Sequence, residues 1–186
     1  CSSDLATERQ DITLKYTQHN ISDKYQEIVA NNRIAFFPVR TTDYSNISDK
    51  TNNREADVAV FLVLAINELY KSNNLPFDPA KTIGIIAPYR NQIALIKHKL
   101  EATGTPELKN IMVDTVERYQ GSQRDIIIVS FCFNKPYQLR YFCNMNRENT
   151  VDRKLNVAIT RAREQLFLIG NDILLGQNPI YKKILS

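Results

Sequence analysis

Short apolar runs rich in β-branched residues alternate along this chain with longer stretches whose apolar positions recur every three or four residues. The short runs cover residues 34–39, 83–87, 111–114, 126–131 and 165–170, and most are continuous rather than alternating. Continuous apolar strands belong to parallel sheets with helices on both faces, because such strands bury both sides. Between the first two runs, residues 54–71 place Val58, Leu62, Ala65 and Leu69 at helical spacing, with Asn52 or Asn53 as the N-cap. Residues 89–101 repeat the pattern through Ile93, Ile96 and Leu100, with Pro88 just before them. A third helix is expected over 152–164, running directly into the last strand. The pattern therefore predicts an α/β domain with a mostly parallel sheet over 34–186. A polar segment, 1–33, precedes it with a short helix near 22–31, and 135–150 lack periodicity and read as a surface loop.

Composition narrows this only slightly. At 186 residues and 43% hydrophobic, the chain suits one domain with a real core. A net charge of +4 fits a nucleic-acid partner without requiring one. Cys1, Cys132 and Cys143 are odd in number and show no C-x-x-C spacing, which disfavours a disulfide framework or a zinc site and points to a reducing, cytoplasmic setting. The apolar runs are too short to span a membrane, so no membrane partner is expected. The start Cys1-Ser2-Ser3 could be a lipid-modified terminus; the missing initiator Met is explained more simply by a piece of a longer protein.

A phosphate-binding P-loop needs G-x-x-x-x-G-K-[ST], and Gly84, Gly104, Gly121, Gly170 and Gly176 never approach that spacing. Asp114 ends an apolar strand as a magnesium-binding carboxylate would, but Thr115 follows it, and we read Asp114 as a strand-end residue. No metal site is expected, and the chain alone is expected neither to bind nor to hydrolyse ATP.

Three segments carry candidate chemistry. Arg153-Lys154-Leu155-Asn156-Val157-Ala158-Ile159-Thr160-Arg161-Ala162-Arg163, read as helix, sets Leu155, Ile159 and Ala162 on a docking face. Lys154 and Arg161 share a second face, and Asn156, Thr160 and Arg163 a third. Periodicity alone favours an ordinary amphipathic helix here. Upstream, residues 114–125 contain Tyr119-Gln120-Gly121-Ser122-Gln123-Arg124-Asp125 before an apolar strand, where a glycine lets backbone approach a phosphate. Residues 83–92 end in Ala87-Pro88-Tyr89-Arg90-Asn91-Gln92, a strand-to-helix turn whose Tyr can pack on sugar or base and whose Arg can meet phosphate.

These segments, in this order and with this spacing, resemble motifs of superfamily 1 helicases. The similarity is greatest to the branch of the nonsense-mediated-decay helicase and the nuclease-helicase that processes Okazaki fragments. The resemblance implies a RecA-like second motor domain that lacks its own P-loop. In that family the first arginine of Thr-Arg-Ala-Arg reaches the γ-phosphate across a cleft, which implies a catalytic Arg161, with Arg163 supporting the site. It further implies nucleotide contacts from Gln120, Gly121 and Gln123, and nucleic-acid contacts from Pro88, Tyr89, Arg90, Gln92 and Thr115. Many relatives have Glu where Gln123 stands and Thr where Ala87 stands, so ribose contact and one backbone contact are weakened. Asn52-Asn53-Arg54-Glu55-Ala56 also fits a family pattern at a helix start, expected to cap the helix and touch another domain. The family's Gln-Tyr-Arg-Met element is absent, and the chain is expected to begin just after it. ATP and Mg2+ would then be cofactors of the intact parent, its partners a P-loop domain of the same chain and single-stranded DNA or RNA. Translocation 5′ to 3′ is implied by the branch. The alternatives are a non-catalytic RecA-like scaffold, or a parent whose further activity, such as a nuclease, lies outside this chain.

Overall fold

The computed structural model describes residues 15–17, 21–40, 48–119, 121–142 and 153–185. Its strands are β1 (Ile34–Pro38), β2 (Ile83–Ile86), β3 (Met112–Asp114), β4 (Arg124–Ser130) and β5 (Ala162–Gly170). They join in the order β1-β5-β4-β2-β3, and every neighbouring pair is parallel. This is the α/β, parallel-sheet architecture expected of a RecA-like domain.

The continuous apolar strands are continuous because both faces are covered. Ile126 and Ile128 of β4, with Phe167 and Ile169 of β5, enter one core together with Ile66 and Ile96. The residues between them, Ile127, Val129, Leu166 and Leu168, enter a second core on the opposite face. The first core is closed by α1 (Lys24–Asn31), α2 (Asn53–Ser72) and α4 (Arg90–Ala102). The second lies under α5 (Pro136–Phe142), α6 (Arg153–Arg161), α7 (Asp172–Leu175) and α8 (Pro179–Leu185). A single turn, α3 (Pro79–Thr82), capped by Asp78, leads into β2.

Several expectations are corrected. Residues 136–142, expected to be loop, form α5; the remainder of that stretch, 143–150, lies outside the described residues. The helix is too short to show a period. Its start is held by the Gln138 carboxamide, which accepts the N–H groups of Asn134 and Lys135, and by burial of Leu139. The helix expected over 152–164 ends at Arg161, and β5 begins at Ala162, paired with Arg124. Asp152 is outside the described residues. The docking stripe of α6 is therefore Leu155 and Ala158, while Ile159 is 38% exposed. Upstream of residue 34, α1 and the buried Tyr16 belong to the first core, and the Tyr16 hydroxyl donates to Gln165 Oε1 at 2.9 Å.

Gly84, in the middle of β2, faces the second core under the ring of Tyr119. A Cβ there would stand 2.8 Å from the Tyr119 hydroxyl oxygen and 2.9 Å from Arg124 Cγ. The ring cannot retreat freely, because its hydroxyl donates to the Met112 carbonyl of the neighbouring strand. Gly→Ala in a strand ordinarily stabilises by tenths to about 1 kcal/mol. At Gly84 the sign should reverse: Gly84→Ala is expected to cost about 1–3 kcal/mol through overpacking. Thermal melting should show a drop of several degrees, and an unchanged or raised melting temperature would refute the close approach.

Candidate functional site

Because all five strands run one way, residues that precede a strand gather at one edge of the sheet and residues that follow a strand gather at the other. With about 3.3 Å of rise per residue, the seven residues of β4 set these edges roughly 20 Å apart. The candidate residues divide cleanly between them. Gly121, Gln123, Arg161 and Arg163 lie at the amino edge, beside the starts of β4 and β5. Pro88, Tyr89, Arg90 and Thr115 lie at the carboxyl edge, just past β2 and β3. Gln120 lies outside the described residues.

At the amino edge Gly121 has φ +78° and is exposed, with nothing within 4 Å of where its Cβ would be. Glycine is required here by the left-handed backbone rather than by crowding, and the approach to that backbone is open. Arg163 is the second residue of β5, not a helix residue. Its Nε donates weakly to Gln123 Oε1 at 3.4 Å, and its Nη1 lies 3.7 Å from Asp125. Arg163 thus holds the segment before β4. Arg161 is the last residue of α6 and is half-buried. Its Nη2 lies 3.4 Å from the Thr160 hydroxyl, a long contact, and its Nε is buried with no hydrogen-bond partner. Leaving a buried donor of a charged group unmade is costly, of order 1–3 kcal/mol or more, and the Nε of Arg124 is left the same way.

The carboxyl edge is packed, and most of its buried polar groups are paired. Pro88 and Tyr89 are half-exposed and Arg90 is exposed at the first turn of α4. Gln138 donates its amide to the Tyr89 hydroxyl at 3.1 Å, and burial raises the Tyr89 hydroxyl above its ordinary pKa. Gln92, expected to contact nucleic acid, is instead fully internal: it accepts from Asn52 N at 2.8 Å and donates to Asn52 O and Ser130 Oγ. It points inward because the first turn of α4 packs over α2 and the end of β4. Ala87 is also fully buried, and its N–H goes to Asp114 O. The Asp114 carboxylate accepts the N–H of Thr115 at 2.8 Å, as a strand-end residue does. Among the described residues, no three His, Cys, Asp or Glu converge to hold a metal.

The hub beneath this edge is Glu55. Asn52 caps α2 by accepting the Glu55 N–H at 3.0 Å, and Glu55 is completely buried. Its Oε2 accepts from the Ser130 hydroxyl at 2.7 Å and from the Cys132 N–H at 2.8 Å, while Oε1 has no partner. Cys132 sits at φ +52°, a strained position for a side-chain-bearing residue that this bond helps to fix. Asn134 completes the set, accepting from Asn52 Nδ2 and donating to the carbonyls of Ser48 and Thr51. Sequence reasoning read Glu55 as part of a helix-start pattern and missed Ser130, Asn134 and Gln138. Ser130 ending an apolar strand was the available signal.

A small cavity of about 50 Å³ opens between the carboxyl ends of β2 and β4, lined by Ala87, Pro88, Val116, Glu117, Ser130 and Lys154. The chain leaves β2 toward β3 and leaves β4 toward β5, in opposite directions across the sheet. The cavity therefore stands at a topological switch point, where open α/β sheets bind ligands.

The family model described as an AAA domain matches residues 3–173. The chain belongs to this AAA domain family. Over 142 residues, 73% of the chain, it is 34% identical to the DNA replication ATP-dependent helicase/nuclease DNA2 of Bos taurus. Over 138 residues, again 73%, it is 34% identical to Regulator of nonsense transcripts 1 of Dictyostelium discoideum. The chain covers only 11% and 9% of the length of those two proteins. A solved structure described as the C-terminal domain of a possible DNA helicase from Lactobacillus plantarum overlaps 95% of the chain and 90% of its own, at TM-score 0.46 and 16% identity. Family membership and these two relatives agree with the helicase motifs: the chain is an AAA-family domain similar to part of known helicases.

Burial raises the Glu55 carboxyl to about 7, against bonds from Ser130 and Cys132 that favour its charged form. The native state therefore holds this proton more tightly than the unfolded chain, whose glutamate titrates near 4.5. Stability from Glu55 is fully present below that unfolded value and is lost as pH rises through about 7. Glu55→Gln mimics the protonated form, so its melting temperature relative to the unaltered protein should rise between pH 5 and about pH 8. A difference that stays flat across that range would mean Glu55 does not titrate there.

Proposed function

We propose that this chain is the C-terminal motor half of an ATP-dependent DNA or RNA helicase, supplying an arginine finger at its amino edge and gripping a single strand at its carboxyl edge. The observation that carries the reading is the partnerless buried Nε of Arg161, held on a helix end at the same sheet edge as the open Gly121 backbone. A guanidinium set on rigid structure with a free donor suits a phosphoryl oxygen. ATP with Mg2+, when bound by a P-loop domain of the same parent, supplies a γ-phosphate whose charge must be neutralised during transfer. Arg161 then meets that oxygen through the donor it leaves unused. The Gly121 backbone approaches the nucleotide, while Gln123, steadied by Arg163, offers one hydrogen bond to it. At the other edge the Thr115 hydroxyl, the Arg90 guanidinium and the Tyr89 ring face a strand through backbone and stacking contacts that serve DNA and RNA alike. The family resemblance supports 5′-to-3′ movement.

In the intact parent, Arg161→Ala is expected to lower ATP turnover by about 10³-fold or more while nucleotide binding persists. Near-normal turnover would remove the finger assignment. The chain by itself is expected to show no ATP turnover and to bind single-stranded oligonucleotides weakly, with affinity falling linearly on a log–log plot against salt. Fluorescence anisotropy across a salt series reads this directly; tight, salt-insensitive binding would contradict a phosphate-gripping edge.

A further inference from the structure

The short helix α5 divides its residues between inside and outside. Gln138 and Leu139 are buried, while Tyr137 is 44% exposed, and Arg140, one turn on and so on the same face, is exposed as well. A lone exposed aromatic is ordinary on a protein surface. Tyr137 differs in being held. Its hydroxyl donates to Asp49 Oδ2 at 2.7 Å, and the other oxygen of that carboxylate lies 2.5 Å from Lys135 Nζ. The Gln138 amide nitrogen donates both to the Asp49 carbonyl at 2.5 Å and to the Tyr89 hydroxyl at 3.1 Å. Gln138 is itself fixed, because its Oε1 accepts the N–H groups of Asn134 and Lys135, each at 2.7 Å. Tyr89, at the start of α4, and Tyr137, on α5, are therefore tied to one framework at the carboxyl edge. Both hydroxyls are committed to the protein, so what each residue offers a ligand is its ring. Lys50, Arg90 and Arg140 stand exposed beside them in sequence, and the Asp49 carboxylate is already paired with Lys135.

We propose that Tyr137 is a second stacking residue for the single strand, set beside Tyr89 at the carboxyl edge, an inference that rests on the function proposed above. The mixture of groups selects the occupant. Rings take the flat faces of bases, and the surrounding guanidinium and ammonium groups take phosphates. Every base has such a face, so the contact is tolerant of sequence and serves DNA and RNA alike. A ring whose hydroxyl is already bonded loses little freedom when a base settles on it, which favours binding without any new polar contact. Tyr137 also extends the contact assigned to Tyr89 and Arg90, since the Gln138 amide reaches the Tyr89 hydroxyl and the Asp49 backbone at once. A second ring lets the edge hold more than one base of the same strand.

The test uses the intact protein that carries this domain and fluorescence anisotropy with labelled oligo-dT and oligo-U. On whichever of the two it binds, Tyr137→Ala is expected to weaken affinity about fivefold or more. Tyr137→Leu, which keeps apolar bulk without a π-face, should lose as much, while Tyr137→Phe should stay within about twofold of the unaltered protein. An oligonucleotide of abasic residues keeps the phosphates and removes the bases. On that strand Tyr137→Ala should bind like the unaltered protein, and on all strands its salt dependence should be unchanged, because no phosphate contact is lost. The inference is overturned if Tyr137→Ala keeps full affinity for both oligonucleotides, which would assign this face to another occupant. It is also overturned if Tyr137→Leu binds as well as Tyr137→Phe, or if the loss persists on the abasic strand, which would make Tyr137 a prop for neighbouring cations. Tyr89→Ala with Arg90→Ala, measured alongside, separates the two ideas. Full affinity in that double variant refutes the grip at the carboxyl edge itself; a loss there, with none in Tyr137→Ala, refutes only the second ring.

Discussion

The direction shared by all five strands is the constraint on which the rest of this molecule depends. A parallel sheet has two chemically different edges, and each connection must return across the full length of a strand. Here that rule sends the segments after β2 and β3 to one side and the segments before β4 and β5 to the other. β4, with Ile126, Ile127 and Ile128 wholly buried between two cores, is the rigid spacer that keeps the edges apart. An interior packed at this density does not deform smoothly, so any communication between edges passes along whole elements or around the sheet.

The two edges differ in character as well as in position. The carboxyl edge is fixed from beneath by Asn52, Glu55, Gln92, Ser130 and Asn134, each bonded to at least one other member of the set. Buried polar networks of this kind hold one arrangement strongly when nearly every group is satisfied. They place Tyr89 and Arg90 on a firm base. Among the described residues the amino edge shows no comparable network: Gly121 is open and Gln123 is weakly held.

Much of this was legible in the sequence, for reasons that can be traced. The strands around 83–86 and 126–130 stood out because burial on both faces leaves no polar interruptions, and α2 stood out because twenty residues give its period room to appear. The helix α5 was hidden because its seven residues are stabilised by Gln138 and Leu139 rather than by a repeating stripe. The end of α6 was misplaced because Ala162 and Arg163 are as compatible with helix as with strand; pairing with Arg124 decided it, and that partner is remote in the chain. Gln92 pointed inward for the same kind of reason. Its partners Asn52 and Ser130 are about forty residues away on either side, and no local pattern announces them. The order and spacing of residues 114–125 and 153–163 pointed to the amino-edge residues as a group, and β4 and β5 do begin side by side there.

The nine residues of α6 also impose a rule on how this segment can change. Substitutions on its exposed side alter chemistry one position at a time and leave the geometry alone. Insertion or deletion of a single residue is different in kind, because it turns everything beyond it by 100°. Arg161 would leave the face it shares with Lys154, while the apolar contacts of Leu155 stayed where they are. The helix therefore behaves as a fixed-length gauge between two chemistries, tolerant of altered letters and intolerant of an altered count.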